Sequence, residues 1–400
     1  MKESVEHIFQ DLNMKIARLK ILGEELRGDA PSQITDSKEK FQVVKPPFDQ
    51  VQKKLRHYRH VRLVSESLYR ALESSCHDHE KHSALVRLQP HLPISIGTNP
   101  YIEFKLRFSE YRRQAQSPKA LGNASWLSLH TSRNEFSLGT GFNNLSMRKK
   151  FCKLVKSHNQ ETAEDPELCL GYIESDKISK YVVLFDDAYL TFGRSEPRSL
   201  VNLMEDVFSG PMVDSMPYER VGLAKQLASA MLQFQQTPLL RPDWNSEDIL
   251  FFGKPHDRFQ AREMFQGPHL DVCITRTNDD ASGTRDSIAD SGVGFIMHRW
   301  TFALAVMLIE IAHQKPITSL VSTYYLMSED EQRWLAADTL CNDLARKLGS
   351  RYQAVVRKCL DKCLSENGNS GVEKHEAFIY VYVINELEQL KVWMINNDDE

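Results

Sequence analysis

The hydrophobic pattern of this chain changes from a helical period to a strand period at Ser83 and returns to a helical period in the second half. Residues 4–27 and 48–75 space apolar side chains three and four positions apart, which predicts two amphipathic helices. Segments between residues 83 and 187 alternate apolar and polar residues as half-buried strands do, with one basic helix near 144–157. Because strands and helices occupy separate stretches of the chain, we predict an α+β fold.

Residues 298–317 are apolar nearly all round, which predicts a buried central helix. Its apolar stretch, Phe302 to Ala312, is too short to span a bilayer and contains Glu310. We expect Glu310 to be a buried structural partner of an arginine. The charged start of the chain has no apolar signal region, so we expect a cytoplasmic protein. Residues 253–293 are polar, which predicts a loop.

Charge is distributed unevenly along the chain, although the net charge is only −4. Residues 1–160 carry 27 lysines and arginines against 16 acidic residues, a net charge of +11. Residues 161–400 carry 23 against 38, a net charge of −15. Such asymmetry indicates a polyanionic partner or docking of one half against the other, and an ordinary solvated surface explains it equally well.

The cysteines and histidines suggest neither a disulfide framework nor a standard metal site. Seven cysteines occur, with no C-x-x-C pair among them. The run from Cys76 to His82, C-H-D-H-E-K-H, contains the residue types that bind zinc, but its spacing matches no standard site. We therefore predict no metal and no cofactor. Cys359 and Cys363 are four residues apart on a predicted helix, which indicates reduced core residues.

The segment R-P-D-W-N-S-E-D-I-L at 241–250 keeps the register of the protein-kinase catalytic loop, H-R-D-L-K-x-x-N-I-L. Asp243 takes the position of the kinase base, and Asp248 takes the position of the asparagine that binds metal. Residues 298–317 also resemble the kinase helix D-V-W-S-F-G-V-x-L-x-E-L-x-T-G-K-P-I.

The resemblance implies a degenerate protein-kinase-like fold with two lobes. It predicts three parts: an N-terminal helical region at 1–82, a small β-rich N-lobe at 83–190 and a helical C-lobe at 191–400. The parts of a kinase that hold phosphate are missing. The sequence has no G-x-G-x-x-G, no V-A-I-K lysine and no D-F-G, although Asp271 in H-L-D-V has a plausible position. An active kinase is therefore not expected, and a pseudokinase interaction or signalling module is one hypothesis.

Two further segments resemble a narrower group: C-H-D-H-E-K-H-S-A-L-V-R-L, and the run from L-A-K-Q-L-A-S to R-P-D-W-N-S-E-D-I-L-F-F. They are similar to fungal proteins with a kinase-like C-terminal domain, some in cell-death signalling and others arginine-containing cyclodipeptide synthases. The second resemblance implies an enzyme of fungal secondary metabolism without a cofactor. It would condense arginine with a second amino acid to a cyclo(Arg-Xaa) diketopiperazine, using arginyl-tRNA and a second aminoacyl-tRNA as partners.

Such an enzyme must remove a proton from an amine, bind a guanidinium and bind tRNA phosphates. Asp243 is our candidate for proton transfer, with Asp248 beside it, and Asp186 or Asp187 is our candidate for the guanidinium. Each has a structural alternative, in which Asp243 pairs with Arg241, Asp248 stabilises a turn, and Asp186 and Asp187 form a solvated turn. No nucleophile is evident. The candidate tRNA contacts are Lys53, Lys54, Arg56, Arg59, Arg62, Arg112, Arg113, Arg148, Lys149 and Lys150.

Overall fold

A long amphipathic helix, α1 (Phe48–Ser75), begins directly after Pro47, as the sequence predicts. Its apolar residues recur at helical spacing, so that Leu55, Leu68 and Leu72 lie on one fully buried stripe. Each such leucine contributes about 1.5–3 kcal/mol by leaving water. The computed structural model describes residues 45–76, 81–88, 102–110, 125–132, 143–146, 150–152, 169–175, 179–185, 196–206, 217–253, 264–265, 267–275, 298–320, 329–364 and 372–397.

The strands that the structure describes are β1 (Lys81–Arg87), β2 (Glu103–Glu110), β3 (Ser125–Ser132), β4 (Cys169–Ser175), β5 (Ser179–Phe185), β6 (Arg198–Ser199), β7 (Ile249–Phe251) and β8 (His269–Thr275). The first five coincide with the segments whose alternation predicts strands. These eight strands form one antiparallel sheet in the order β4-β5-β3-β2-β1-β8-β7-β6.

Strand β8 corrects one prediction, because it lies inside the stretch 253–293 that the sequence predicts to be a loop. It pairs with β1 along its full length, from Lys81 opposite Thr275 to Arg87 opposite His269. Its local sequence, H-L-D-V-C-I-T, alternates with period two, but polar residues on both sides hide that signal. The sheet therefore continues into the part of the chain that follows the kinase-like loop.

The two faces of the sheet differ in chemistry. On one face Ala84, Leu106 and Val272 belong to the main hydrophobic core, together with the buried stripe of α1. The opposite face presents the alternate positions, including Lys105 and Asp271. We call this opposite face the polar sheet face. It borders the kinase-like loop, because β7 at the end of that loop pairs with β8.

The second half of the described chain is largely helical, as the sequence predicts. Helix α4 (Arg299–His313) is buried on all sides from Thr301 to Ala312, in agreement with its apolar composition. Cys359 and Cys363 are both buried, as predicted. The helices after α1 are α2 (Leu200–Asp206), α3 (Pro217–Phe234), α4 (Arg299–His313), α5 (Ile317–Leu320), α6 (Glu329–Cys341), α7 (Leu344–Leu348), α8 (Ser350–Cys363), α9 (Val372–Ile379) and α10 (Asn385–Asn397).

A π-helical turn at Tyr380–Ile384 joins α9 to α10. The Asn385 N–H donates to the Tyr380 carbonyl, five residues earlier, instead of the four of a regular helix. Beyond the turn, the buried Glu386 carboxylate accepts a hydrogen bond from Arg351 of α8 at 3.0 Å. Glu388 pairs with Lys225 of α3.

The buried carboxylate of Glu376 in α9 anchors α1 to the C-terminal helices. It accepts hydrogen bonds at 2.7 Å from Arg59 and at 2.7 Å from Arg62, one on each oxygen. Arg62 also donates to the Leu232 carbonyl at 2.6 Å. The Glu376 side chain is 2% exposed, so this ion pair is shielded from solvent. Glu373, by contrast, is 79% exposed and contacts Arg59 alone at 3.0 Å.

The order of elements is that of a kinase-like fold, with a sheet, a helix leading to the loop, a β7–β8 pair and a buried helix. The fold class is thus α+β, as predicted. Residues 45–400 form one compact unit. The boundaries at 82/83 and 190/191 stay a prediction. None of the described helices is long and apolar enough to cross a membrane.

Replacing Glu376 with glutamine should lower the free energy of unfolding by about 3 kcal/mol, because two arginines lose a buried charged acceptor. The matched control is Glu373→Gln, which removes an exposed pair and should cost less than about 0.5 kcal/mol. Urea denaturation of the full chain measures both. Equal losses in the two variants would show that Glu376 is not the anchor.

Candidate functional site

Helix α3 delivers the chain into the kinase-like loop through a short series of turns. The Thr237 hydroxyl donates to the Phe234 carbonyl at 2.6 Å and so holds the end of the helix. Trp244 is 1% exposed, and the Trp300 indole N–H donates to the Leu240 carbonyl at 3.4 Å. These contacts fix the backbone of residues 241–253, which we call the 241–253 loop.

Within the loop, Arg241 and Asp248 form a two-fold ion pair. One guanidinium nitrogen of Arg241 donates to both carboxylate oxygens of Asp248, at 2.9 and 3.1 Å. The backbone N–H of Asn245 donates to the same carboxylate at 3.0 Å, and the Asn245 side chain accepts from Glu247 N–H at 2.8 Å. The Asp248 carboxylate therefore stabilises the turn, which is the structural alternative for this residue. Its chemical role stays a prediction.

The two other loop residues of interest differ in accessibility. Asp243 is exposed to solvent, and Arg241 pairs with Asp248 rather than with it. Ser246, the hydroxyl of the loop, is 3% exposed and hydrogen-bonds toward the buried Glu310. The burial of Ser246 argues against an open nucleophile at this position.

Glu310 is buried, as expected, but its closest contact is not an arginine. The Ile317 backbone N–H donates to Glu310 Oε1 at 2.8 Å, so Glu310 caps the start of α5. Burial raises the pKa of Glu310, while this N–H, the Ser246 hydroxyl and the charge of Arg333 oppose the rise. Glu310 thus ties α4 and α5 to the loop above them.

Asp271 of β8 completes the acidic side of the site. Its backbone N–H donates to the Asp248 carbonyl at 2.9 Å, which joins the strand to the loop. Its carboxylate accepts from the Ser83 hydroxyl of β1 at 3.1 Å. Although the side chain keeps access to solvent, the surrounding loop and sheet remove part of its hydration. This desolvation, with the negative charge of Asp248, raises the pKa of Asp271.

A buried arginine lies on the polar sheet face, next to the loop. Arg107 of β2 is 8% exposed, and its guanidinium lies 5.8 Å from the Trp126 ring and 5.3 Å from the Phe252 ring. Burial lowers the pKa of Arg107. The described carboxylates form no ion pair with Arg107, and its guanidinium makes cation–π contacts with the two aromatic rings. Sequence analysis missed Arg107, although the alternation of β2 assigns it to the polar face.

A second charged group lies on the same face, one step along the strands. The Glu103 carboxylate accepts from Ser128 at 2.5 Å and lies 3.5 Å from His130 and 3.7 Å from Lys105. Burial alone would raise the pKa of Glu103, but the hydrogen bonds from His130 and Ser128 and the charge of Lys105 lower it to about 2. This part of the face is therefore already neutralised within itself.

The structure divides the residues that the sequence nominates for tRNA contact. Lys53, Lys54 and Arg56 are exposed on α1, and Lys150 is exposed as well. Arg59 and Arg62 are engaged with Glu376, which leaves them less able to contact a phosphate. The nominated residues that lie outside the described part of the chain are Asp186, Asp187, Arg112, Arg113, Arg148 and Lys149.

The chain belongs to the DUF7580 family, described as a domain of unknown function, whose sequence model matches residues 51–392. No curated protein matches it significantly.

Among solved structures, the chain is similar to the kinase domain of PknI from Mycobacterium tuberculosis. The two are 12% identical with a TM-score of 0.26, over 76% of this chain and 96% of that one. It is also similar to a Toxoplasma gondii rhoptry antigen kinase domain, at 10% identity and a TM-score of 0.29, over 88% and 99% of the two chains. Superposition at such scores does not establish shared geometry. The kinase-like assignment therefore rests on the order of elements and on the loop.

The buried His269 should make stability fall as pH falls below about 6.5, the pKa of an unfolded histidine. Burial, with the charges of Arg87 and Arg107, lowers its pKa to about 3. Between these values the unfolded state binds a proton that the folded state does not, so stability is lost on acidification. At pH 5 the loss should be about 2 kcal/mol relative to pH 7.

The measurement is urea denaturation of the full chain at pH 7 and pH 5. His269→Gln should reduce the difference between the two pH values by that amount. His375, whose pKa burial lowers to about 4, contributes a similar slope that this variant keeps. An unchanged difference in His269→Gln would show that His269 titrates normally in the folded state.

Proposed function

We propose that this chain is a binding module on a kinase-like scaffold and does not transfer phosphate. The observation that carries the proposal is the ion pair between Arg241 and Asp248. A kinase uses the corresponding position to hold Mg²⁺, and the metal is central to phosphoryl transfer. Here the carboxylate is already neutralised by a guanidinium and by the Asn245 backbone.

The polar sheet face supports the same proposal. In kinases the nucleotide phosphates are held by a glycine-rich loop and a strand lysine, and the sequence contains neither motif. Arg107 offers a cation on this face, but its guanidinium lies against the rings of Trp126 and Phe252. The strand lysine of a kinase, by contrast, pairs with a glutamate of a neighbouring helix. A ligand or partner segment that meets the 241–253 loop would contact the exposed carboxylates of Asp243, Glu247 and Asp271 instead of a nucleotide cradle.

Purified full-length chain should show no Mg²⁺-dependent rise in Tm at millimolar ATP, because a ligand stabilises only the state that it binds. It should also transfer no γ-phosphate to itself or to a generic substrate protein. An active kinase domain treated in parallel is the positive control. Saturable stabilisation together with phosphate transfer that Asp243→Asn abolishes would overturn the proposal.

A second candidate function, the arginine-containing cyclodipeptide synthase, is supported by the exposed Asp243 and by the exposed basic residues of α1. Lys53, Lys54 and Arg56 would contact tRNA phosphates, whereas Asp243 would act at the reacting esters. Asp271, with its raised pKa, lies on the strand beside the loop and could share the proton. Asp186 and Asp187 remain our candidates for the guanidinium.

In that reaction the α-amine of one aminoacyl ester attacks the ester carbonyl of the other. An amide bond forms, and the carbon–oxygen bond between the attacked carbonyl and its own tRNA breaks. Asp243 takes the proton of the attacking amine and returns it to the departing ribose oxygen. The remaining amine then attacks the second ester in the same way, which closes the diketopiperazine ring and releases the second tRNA.

Mass spectrometry of extracts from a host that expresses this chain alone separates the two functions. The binding module predicts no new diketopiperazine from folded protein. A new cyclo(Arg-Xaa) product that is lost in Asp243→Asn, and kept in the loop control Glu247→Gln, would establish the synthase instead. Reversing the charge of Lys53, Lys54 and Arg56 together should then reduce the product by about tenfold or more, because phosphate contacts dominate affinity.

A further inference from the structure

Three side chains from separate elements meet inside the core, well away from the 241–253 loop in sequence. They are Cys76 at the end of α1, His82 in β1 and Cys152 in the helical stretch 150–152. Each is at most 3% exposed. Their ligating atoms all lie within 4.8 Å of one another, and Cys152 Sγ is 3.7 Å from His82 Nε2. No other group of three or more metal-ligating side chains is this close in the described part of the chain.

We infer that Cys76, His82 and Cys152 bind a zinc ion. Zinc–sulfur bonds of about 2.3 Å and zinc–nitrogen bonds of about 2.0–2.1 Å at a tetrahedral angle separate sulfur from nitrogen by about 3.6 Å. The distance between Cys152 and His82 is therefore already that of two ligands sharing one zinc ion. The 4.8 Å limit on the remaining distances requires only small rotations of the side chains.

The ligand set selects the metal. Two thiolates and an imidazole are soft or borderline donors, which favour zinc over the magnesium and calcium ions that prefer oxygen. Two thiolates also balance the charge of one Zn²⁺, so the bound site is neutral as a whole. Neutrality removes most of the cost of burying an ion in a core that supplies no counter-charge.

The three ligands are buried together, and a water molecule would complete the tetrahedron that they leave open. The His82 ring stacks on Phe108 with centroids 5.0 Å apart, and Phe108 meets Phe151, the neighbour of Cys152, edge-on at 5.2 Å. The Phe108 ring fixes the orientation of the imidazole. Hydrogen bonding to Cys152, together with burial, raises the pKa of the Cys76 thiol, so the ion must displace a proton when it binds.

Zinc here would join three segments: the end of α1, the start of β1 and the stretch 150–152. Strand β1 also carries Ser83, the residue after His82, which holds Asp271 beside the loop. The ion would thus stabilise the sheet on which the candidate site is built. Zinc would have this structural role whether the chain is a binding module or a cyclodipeptide synthase.

The first measurement is the metal content of full-length protein, purified under reducing conditions from cells grown with zinc. We expect about one zinc ion per chain, and a fall in Tm of at least about 5 °C when a chelator removes it. Cobalt exchanged into the site should show thiolate-to-cobalt charge-transfer absorption and the visible bands of tetrahedral coordination. These three readouts need no variant, so a variant that fails to fold does not leave the inference untested.

Variants then assign the ligands. Cys152→Ala and Cys76→Ala should each lose the zinc and the cobalt charge-transfer band. The matched control Cys359→Ala removes an equally buried cysteine of α8 and should keep both. Protein that is purified without metal and whose Tm does not change on adding a chelator would overturn the inference. Zinc that remains bound when Cys76 and Cys152 are both replaced would overturn it too. A Cys76–Cys152 disulfide in zinc-free native protein would overturn it as well.

Discussion

The sheet and the C-terminal helices share one element, helix α1, and the burial of one carboxylate fixes where that helix lies. Its apolar stripe belongs to the core that also contains one face of the sheet. Its basic face would stay in water if Glu376 did not accept hydrogen bonds from Arg59 and Arg62. Because removing one partner of a buried ion pair costs several kcal/mol, this contact specifies the orientation of α1 as well as its position. The position of α1 in turn helps to set the position of the strands that pack against it, and of the loop beside those strands.

The 241–253 loop is held in its conformation by its own side chains. The backbone needs something to hold its turns, and in this chain Asp248 supplies it by accepting from Arg241 and from Asn245. A carboxylate used in this way is costly to recruit for a metal, since its release would leave the guanidinium without its partner. Asp243 is exposed to solvent and does not form the ion pair with Arg241, so it is the loop carboxylate that could take part in chemistry.

Local patterns predicted the elements well but not the contacts between distant residues. The bounds of α1, the first five strands and the buried α4 follow from periodicity, because burial acts on each of these segments separately. Strand β8 was missed because seven alternating residues stand in a long polar stretch. The partnership of Arg59 with Glu376 joins residues 317 positions apart, and Cys152 lies 70 positions from His82. No local pattern encodes contacts over such distances. The folded structure was therefore needed to show that Arg59 and Arg62 bind Glu376, and that Cys152 lies beside His82.

The π-helical turn at Tyr380–Ile384 determines which side of the C-terminal helix meets which neighbour. One surplus residue in a helix rotates everything after it by about 100° relative to a regular helix. Glu376 before the turn therefore faces α1, while Glu386 after it faces Arg351. Deletion of a single residue there would make the helix more regular but the protein less stable, because α10 would present a different side to α8. The length of this segment therefore sets which side of α10 packs against α3 and α8.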